Sequence, residues 1–372
     1  MRRTVFTEEH EAFREKVRAF VEAEIEPNYA SWERDHKPSR EFWRGAGELG
    51  MLGIGVPEEY GGLPGSGFKH SAVITEEVTR AGLSVGGVRV QTDICMPYLL
   101  HYATDEQKAR WLPKLTSGEW VIALAMSEPG AGSDMKAMST SAVRDGDTYI
   151  VNGGKTFISN GTLCDLVILA VKTDPSAGRR GISLLVVEAD SPGFERGRSL
   201  EKIGQHAQDL AELFFTDMAV PVSNLLGEEN QGFQYLSSNL ASERLSIAIN
   251  CQAHATGVLH RTVAFVGEGA EQHAKFELAG CATEIAAGQA LIDQALEANE
   301  RGELTVADAA SVKLYCTELQ GRVVDRCLQL HGPAGYAKTS PIGRAFADAR
   351  VSRIYGGSSE IMKVIVAKDI GL

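Results

Sequence analysis

The groups best suited to holding a ligand lie in one segment, Ala125-Met126-Ser127-Glu128-Pro129-Gly130-Ala131-Gly132-Ser133-Asp134. Its glycines let a backbone approach a ligand closely, and its serine hydroxyls beside free N–H groups suit an anion or the polar edge of a ring. It has no Gly-Lys-Ser/Thr, so it is not a P-loop, and it lacks the third glycine of a dinucleotide-binding turn. A tight turn between a helix and a strand is the commoner use of such residues. The segment alone therefore predicts either a binding loop or a turn.

A helix further along the chain places a carboxylate on its apolar face. Leu240, Ile247 and Cys251 recur at helical spacing, and Glu243 falls between the first two, within the same stripe. Desolvation there would raise the pKa of the carboxyl group towards the range that a general base needs near neutral pH. In an arbitrary helix we would instead expect Glu243 to swing outward and pair with Arg244.

Three further segments suit a ligand, and each has a purely structural alternative. In Lys155–Asn160, Phe157 and Ser159 are two apart on an extended segment and would project from one face, as in any amphipathic strand. Gln329–Tyr336 contains a glycine turn that would also serve to end a helix. Arg353–Glu360 has two glycines before a serine suited to cap a helix, and its free N–H groups would equally bind an oxyanion or a phosphate.

The composition is that of a soluble globular protein of two or three domains. Its 372 residues carry a net charge of -12, which argues against a nucleic-acid partner. No apolar run is long enough for membrane insertion and no apolar leader follows Met1, so we expect a cytoplasmic protein. Its 6 cysteines include no Cys-x-x-Cys pair, which predicts reduced structural thiols and no metal site.

Hydrophobic spacing divides the chain into a helical, a β and a second helical part. Apolar residues three and four apart predict helices over the first third, one of them opening at the capping box Thr104–Gln107 and ending at Pro113. From Val121, runs rich in β-branched and aromatic residues predict strands, with Asp145-Gly146 as a hairpin turn. The predicted strands cover residues 139–143, 148–151, 166–171, 182–187 and 212–216. The later predicted helices cover residues 233–265, 272–301, 305–330 and 341–350, with a last one from residue 358.

We therefore predict a mainly α protein with a β-domain. The N-terminal helical domain would cover residues 1–120, the middle antiparallel β-barrel-like domain residues 121–232, and the C-terminal four-helix bundle residues 233–372.

Together and in this order, these segments resemble the acyl-CoA dehydrogenase family of flavoproteins along essentially the whole chain. Ala125–Ala137 matches the family's first signature, a small residue, an aliphatic residue, Ser-Glu and then Gly-Ser-Asp. Gln329–Asp348 resembles the second signature, with Pro333 where Gly or Ser is usual and Thr339 where an acidic residue or Asn is usual. Arg261–Gly267 departs in spacing from the family's Arg-x-x-Phe-Gly.

The resemblance implies an FAD cofactor bound by residues from the middle and C-terminal parts of the chain. The residues implied around the flavin ring are Leu124, Met126, Ser127, Phe157 and Ser159, with Ser133 towards the phosphates. The residues implied at the adenosine end of a neighbouring subunit's FAD are Arg261, Gln272, Gln329, Gly332 and Pro333. Those implied at the diphosphate of the chain's own FAD are Ser358 and Glu360. A cofactor shared in this way implies a homodimer or a homotetramer.

The position of the base distinguishes branches of the family. Most members carry it as Glu directly after the Tyr equivalent to Tyr355, but Gly356 stands there in this chain. The long-chain and isovaleryl branches are similar to it in having Gly or Ala there and a Glu followed by Arg on a bundle helix. Glu243 and Arg244 occupy that position, so the resemblance and the helical spacing both favour Glu243 as the base. The implied substrate contacts are Ser133, Arg244, Gly356 and Gly357.

The implied reaction is the α,β-dehydrogenation of an acyl-CoA thioester to the trans-2-enoyl-CoA, a step of fatty-acid β-oxidation. Glu243 would take the α-proton while a β-hydride passes to flavin N5, and the Gly356 N–H with a flavin ribityl hydroxyl would stabilise the carbonyl oxygen. An electron-transferring flavoprotein is the implied acceptor. The alternatives are an acyl-CoA oxidase, a dehydrogenase of carrier-protein thioesters, and a degenerate partner subunit of a heteromeric dehydrogenase.

Overall fold

The first part of the chain is helical, as predicted, in a computed structural model that describes residues 3–372. Its helices are α1 (Glu8–Phe20), α2 (Tyr29–Asp35), α3 (Arg40–Glu48), α4 (Phe68–Arg80), α5 (Gly86–Arg89), α6 (Met96–Tyr102) and α7 (Asp105–Thr116). Two π-helical stretches, Val21–Ile25 and Val90–Cys95, extend α1 and join α5 to α6. The glycine-rich segment from Gly53 to Gly67 contains a 3-10 turn, Glu58–Tyr60.

Helix α7 begins at the predicted capping box but does not end at Pro113. The Thr104 hydroxyl accepts a hydrogen bond from the Gln107 N–H, which confirms the box, and the helix continues to Thr116. A proline inside a helix costs about 3 kcal/mol. Leu112 and Leu115 are fully buried on either side of it, and burying such side chains stabilises by roughly 1.5–3 kcal/mol each. Packing of this last turn therefore outweighs the missing hydrogen bond.

The middle part is one twisted seven-stranded sheet, within the described chain, rather than the purely antiparallel unit that we predicted. Its strands are β1 (Ile122–Ala125), β2 (Ser141–Asp145), β3 (Thr148–Ser159), β4 (Leu166–Lys172), β5 (Ile182–Glu188), β6 (Phe194–Ser199) and β7 (Leu210–Pro221). They run in the order β1-β4-β2-β3-β7-β6, with β5 also paired to β4. Strands β1 and β2 each lie parallel to β4, whereas the other pairs are antiparallel.

Two strands escaped the sequence-based prediction for different reasons. Strand β6 has one apolar side chain, Phe194, because it lies at the sheet edge and is largely exposed. Strand β1 has only four residues, which is too short to show a period. The hairpin at Asp145 is confirmed: Gly146 adopts φ +59° between β2 and β3, a conformation that glycine reaches without a steric penalty.

Strand β4 is buried on both faces and supports the segment Ala125–Asp134, called here the glycine-containing segment, through its pairing with β1. Leu166 and Ile168 pack with Trp111 and Leu112 of α7. Val167, Leu169 and Val171 belong to a separate cluster on the other face of the sheet. A strand covered on both faces reads as a continuous apolar run. Strand β1 pairs with β4 along its length, so the segment that follows β1 emerges where the N-terminal helices meet the sheet.

The C-terminal part is a helical bundle, as predicted. Its helices are α8 (Gly232–Ser238), α9 (Leu240–Val266), α10 (Gln272–Glu300), α11 (Val306–Gly335), α12 (Pro341–Ala349) and α13 (Ser359–Asp369). The regular part of α11 is broken at Gly332 (φ +57°, ψ −147°), close to the predicted end at Leu330, and one further turn follows to Gly335. Among residues 3–372, no helix combines the length and the apolar character needed to cross a membrane.

Candidate active site

Glu243 lies in the first turn of α9, where two side chains hold it. Its Oε1 accepts hydrogen bonds from the Tyr98 hydroxyl (2.8 Å) on α6 and from the Asn239 side-chain amide (3.0 Å). Burial raises the pKa of Glu243, although both hydrogen bonds and the charge of Arg244 favour the carboxylate. The outward ion pair with Arg244 is not among the salt bridges of the described residues. The structure therefore places a carboxylate of raised pKa on the inward face of α9.

Arg244 is a buried cation with unused donors. Its side chain is 5% exposed, and its Nε and Nη1 atoms have no hydrogen-bond partner within the described residues. Burial lowers the pKa of Arg244, and the neighbouring charge of Glu243 opposes that change. Leaving charged donors buried and unpaired is costly. The arrangement suits a ligand that brings an acceptor oxygen to this place.

The turn at Gly356 packs against the same helix as Glu243. A Cβ atom at Gly356 would lie 2.2 Å from Cδ1 of Ile247, one turn after Glu243 on α9. Gly356 has φ +60°, which a residue with a side chain adopts only at a cost. Its backbone is exposed, and its N–H makes no hydrogen bond to another described residue. The site thus combines a carboxylate, a cation and a free backbone donor around one helix face.

The residues after this turn behave as the capping pattern predicted. Ser358 is the N-cap of α13, and its hydroxyl accepts a hydrogen bond from the Ile361 N–H (3.4 Å). Glu360 lies exposed in the first helical turn. Both therefore stand beside the positive end of the helix dipole, which favours an anion.

The glycine-containing segment is fastened to β3 by a buried ion pair that the sequence-based analysis did not identify. Glu128 Oε1 lies 2.8 Å from Lys155 Nζ, and that ammonium also donates to the Met126 carbonyl at 3.1 Å. Glu128 accepts further hydrogen bonds from the backbone N–H groups of Ser139 (2.7 Å) and Thr140 (3.0 Å). The sequence did offer a signal for this pair, because Glu128 and Lys155 carry opposite charges and each lies in a segment already identified as suited to a ligand.

Along the glycine-containing segment the side chains become more exposed towards its C-terminal end. Leu124, Met126 and Ser127 are half-buried, and Ser133 is exposed. The Ser127 carbonyl accepts a hydrogen bond from the Thr156 N–H (2.9 Å) on β3. The segment is therefore a loop held against the sheet, with several of its side chains partly or fully exposed.

Phe157 is held out of the core by a strained backbone. Its side chain is 65% exposed and its φ is +58°, which is a genuine outlier for a bulky residue. The pairing of β3 with β7 shifts register between Lys155 and Ile158, so the strand is irregular here. Phe157 and Ser159 are nevertheless both more exposed than Ile158 between them, as expected for two residues on one face. The Ser159 hydroxyl accepts a hydrogen bond from the Gln208 side-chain amide (3.1 Å).

Comparison with known proteins identifies the class of this site. Sequence models of the acyl-CoA dehydrogenase N-terminal, middle and C-terminal domains match residues 7–119, 123–218 and 230–371. The mitochondrial long-chain specific acyl-CoA dehydrogenase of Sus scrofa is 42% identical over 378 residues, covering 99% of this chain and 88% of that protein. The chain belongs to the acyl-CoA dehydrogenase family.

Other relatives lie in the same family. The mitochondrial isovaleryl-CoA dehydrogenase of Pongo abelii is 35% identical, covering 97% of this chain and 88% of that protein. The crystal structure of an acyl-CoA dehydrogenase from Geobacillus kaustophilus superposes with a TM-score of 0.97 at 46% identity and covers 100% of both chains. This acyl-CoA dehydrogenase is accordingly an oxidoreductase, and FAD is its cofactor.

The residues around the glycine-containing segment fit a flavin. The Phe157 ring is exposed although its positive φ is unfavourable for a bulky residue, so packing within the chain does not explain its conformation. Its exposed face is suited to stacking on a planar ring. A Cβ atom at Gly130 or Gly132 would meet no atom within 4 Å, so the backbone beside Ser133 is open to a ligand. These observations accord with FAD at this opening.

The residues expected at the adenosine end gather at one end of the bundle. The Phe265 and His331 rings stack there at 4.0 Å between centroids, which brings the end of α9 beside the break in α11. Gln272, Gln329, Gly332 and Pro333 are exposed at that end. The Arg261 guanidinium is half-buried and donates to the Arg80 carbonyl (3.1 Å).

We predict that breaking the Glu128–Lys155 pair destabilises the folded protein. Glu128→Gln leaves a buried ammonium unpaired, and removing one partner of such a pair typically costs about 3–5 kcal/mol. Urea unfolding should show this loss, and FAD retention should fall because Met126 and Ser127 lose their support. As a control, Glu212→Gln removes the partner of Arg198, which is 77% exposed, and should change stability by less than about 1 kcal/mol.

The same pair gives the prediction a pH dependence. Burial opposes ionisation of Glu128, but the hydrogen bonds from Lys155, Ser139 and Thr140 prevail and lower its pKa from 4.5 to about 2. Its stabilising contribution is therefore complete above pH 4.5 and is lost as the pH falls from 4.5 towards 2. Wild-type stability that falls no faster than that of Glu128→Gln over this range would contradict the assignment.

Proposed function

We propose that this protein dehydrogenates an acyl-CoA thioester to the trans-2-enoyl-CoA, with Glu243 as the base that removes the α-proton. The observation that supports this most is the carboxylate of raised pKa on α9, hydrogen-bonded by Tyr98 and beside the turn of Gly356. The relatives named above as long-chain specific and isovaleryl-CoA dehydrogenases also favour a substrate of this class.

The proposed chemistry divides proton transfer and charge stabilisation between two elements. An acyl α-proton is weakly acidic, so its removal needs a donor for the negative charge that develops on the carbonyl oxygen. The free N–H of Gly356 is that donor, and Glu243, one helical turn before the Ile247 that Gly356 packs against, receives the proton. When bound, FAD supplies the two-electron acceptor that takes the β-hydride. Proton and hydride leave from neighbouring carbons, which forms the double bond.

The FAD contacts remain as we inferred them from the resemblance, now supported by their exposure. On the ring side they are Leu124, Met126, Ser127, Phe157 and Ser159; at the diphosphate they are Ser133, Ser358 and Glu360; at the adenosine end they are Arg261, Gln272, Gln329, Gly332 and Pro333. We propose that Arg244, Gly356, Gly357 and Ser133 contact the thioester substrate. Arg244 is supported by its unpaired buried donors.

We propose a homodimer or homotetramer in which the adenosine end meets a neighbouring subunit. Large apolar side chains stand exposed there, including Phe265, Phe276 and Tyr336. Patches of this kind mark interaction surfaces. Light scattering after size exclusion should give two or four times the chain mass of 40.1 kDa, and a monomer that retains FAD would contradict the shared cofactor.

The proposed electron acceptor is an electron-transferring flavoprotein, and the proposed compartment is the cytoplasm. All six cysteines are free and buried, as suits a reducing compartment. We expect the reduced protein to pass its electrons faster to an electron-transferring flavoprotein than to oxygen. Rapid reoxidation on admission of air would indicate an oxidase instead.

An anaerobic titration tests the function directly. The FAD-loaded protein would be mixed with CoA thioesters from butanoyl to palmitoyl and with isovaleryl-CoA, and the loss of flavin absorbance followed. We expect bleaching with at least one straight or branched thioester, and the fastest one defines the acyl specificity. Unchanged absorbance with every thioester, in protein that holds FAD, would contradict the proposal.

We predict that Tyr98→Phe shifts the pH profile of this reaction upward. The Tyr98 hydroxyl donates to the Glu243 carboxylate and so lowers the pKa of Glu243. A hydrogen bond to a charged group contributes roughly 1.5–3 kcal/mol, so its loss should raise the pH of half-maximal flavin reduction by about one unit.

The matched control lies on the same helix. Tyr102→Phe removes a hydroxyl that pairs with the Ser238 hydroxyl (2.7 Å) and not with Glu243, and it should leave the pH profile in place. Equal profiles for the wild type and Tyr98→Phe would mean that the titrating base is not Glu243.

A further inference from the structure

Lys313 is a buried ammonium whose partners are backbone carbonyls. The side chain lies on α11, is 1% exposed, and donates to the carbonyl of Tyr355 (2.8 Å) and to that of Gly357. No carboxylate pairs with it among the salt bridges of residues 3–372. Lysine is almost never fully buried unless it is paired. Burying this ammonium without a carboxylate costs desolvation free energy, which suggests a role beyond packing.

The geometry of one peptide bond connects Lys313 to the proposed chemistry. The Tyr355 carbonyl that accepts from Lys313 belongs to the same peptide group as the Gly356 N–H. The described residues contain no cis peptide bond, so this carbonyl and this N–H point in opposite directions from a planar unit. With the ammonium on the carbonyl side, the Gly356 N–H is directed away from Lys313 towards the open side of the turn.

A cation at a peptide carbonyl also strengthens the N–H of that peptide as a donor. Hydrogen bonds polarise one another through an amide, by roughly 10–30% per bond, and bonds from an ionised donor are among the stronger ones. The second bond, to the Gly357 carbonyl, fixes the Gly357–Ser358 peptide and so holds the two left-handed glycines between the two carbonyls. The charge itself is close, since Nζ of Lys313 lies 2.8 Å from the Tyr355 carbonyl oxygen.

We propose that Lys313 is a positioning residue of the oxyanion site, which orients and polarises the Tyr355–Gly356 peptide whose N–H receives the thioester oxygen. This inference rests on the proposed function. It assigns to a buried lysine of α11 a part of the charge stabilisation that the Gly356 N–H alone would otherwise provide. Lys313 touches neither substrate nor cofactor in this role.

A purely structural role makes a different prediction. If Lys313 only clamps the turn, then a neutral side chain that keeps the hydrogen bonds would preserve the chemistry. If Lys313 polarises the peptide, removal of the charge weakens the oxyanion site even in a folded protein. The readout must therefore report on negative charge at the thioester oxygen, and not on turnover alone.

The experiment compares Lys313→Met and Lys313→Gln with the wild type, each loaded with FAD. Lys313→Gln retains an N–H donor near the two carbonyls without the charge. The probe is a 3-oxoacyl-CoA of the chain length that the wild type dehydrogenates fastest. Its α-proton ionises on the protein to an enolate that can be followed by absorbance. FAD content and thermal midpoint verify folding.

We expect both variants to raise the apparent pKa of the bound 3-oxoacyl-CoA by about one unit, which is an about tenfold smaller ionisation constant. The rate of flavin reduction by acyl-CoA should fall about tenfold or more, in line with the about 10²–10³ lost on removing a whole oxyanion donor, with KM little changed. Lys172→Met is the control: Lys172 is also buried and donates to a backbone carbonyl, that of Gly178 in the β-domain. It should leave both values unchanged.

One result would contradict the proposal. If Lys313→Gln holds FAD and ionises the probe as the wild type does, the charge of Lys313 has no part in the oxyanion site. If Lys313→Met does not fold, Lys313→Gln still decides between the two roles. Failure of the proposed function looks different, because then the wild type itself would neither ionise the probe nor bleach with acyl-CoA.

Discussion

Glu243→Gln should bind acyl-CoA and yet reduce the flavin at least about 10²–10⁴ times more slowly, the usual contribution of a positioned base. Glutamine keeps the shape and can still accept from Tyr98 and Asn239, so the site should remain assembled. The measurement is rapid mixing of FAD-loaded protein with acyl-CoA under anaerobic conditions. Retained bleaching would exclude Glu243 as the base.

The same variant should not lose stability, which separates a chemical effect from misfolding. Burial raises the pKa of Glu243 in the folded protein above its ordinary 4.5, so the folded state binds the proton more tightly than the unfolded state. Ionisation of Glu243 therefore lowers the stability of the folded protein as the pH rises from 4.5 through the raised pKa of the folded state. We expect the urea midpoint of Glu243→Gln at neutral pH to equal or exceed that of the wild type.

A matched carboxylate provides the control for the kinetics. Glu300 ends α10 and is exposed, so Glu300→Gln makes the same chemical change away from the inward face of α9. Its rate of flavin reduction should equal that of the wild type. A large loss in Glu300→Gln would show that the assay reports a general effect of charge.

The second large effect concerns the position that carries the base in most of the family. We predict that Glu243→Gln/Gly356→Glu stays inactive, whereas the same pair with Ile247→Ala recovers flavin reduction by about tenfold or more. A Cβ atom at residue 356 would lie 2.2 Å from Cδ1 of Ile247, so a glutamate there has to displace the end of that buried side chain. Shortening Ile247 removes the obstructing atoms, and the new side chain occupies the space.

Recovery should be partial, for a backbone reason. Gly356 has φ +60°, and a residue with a side chain pays about 1–2 kcal/mol to adopt it. The control is Ile247→Ala alone, which should keep Glu243-dependent bleaching despite some loss of stability from the cavity. If the double variant recovers activity with Ile247 intact, Ile247 does not decide which position can carry the base.

Much of this site follows from residue types and local spacing. The stripe of Leu240 and Ile247 already placed Glu243 on an apolar face, because a helix repeats its faces every three to four residues whatever it packs against. The glycine-containing segment and the capping serine at Ser358 likewise depend on neighbours in the chain. Asn239 was within reach of the same reasoning, since it precedes Glu243 by one helical turn.

Other predictions failed where packing overrode a local rule. Pro113 was expected to end α7, but two buried leucines hold the following turn. The positive φ of Phe157 was not foreseen, because it accompanies a register shift of β3 against β7 that depends on the partner strand. Parallel pairing of β1 with β4 was missed because strand direction depends on the path between them.

Residue types and spacing were enough to predict the family, the helix–β–helix order, the carboxylate on α9 and the glycine in place of an acid at residue 356. The groups around these residues depend on how distant parts of the chain pack together. Tyr98 reaches Glu243 across 145 residues of chain, and Lys313 reaches the Tyr355 carbonyl across 42. Such contacts depend on how two packed elements register against each other, which no periodicity within either element specifies. The carboxylate that we propose as the base was visible in the chain, but Tyr98 beside it and Lys313 at the Tyr355 carbonyl were not.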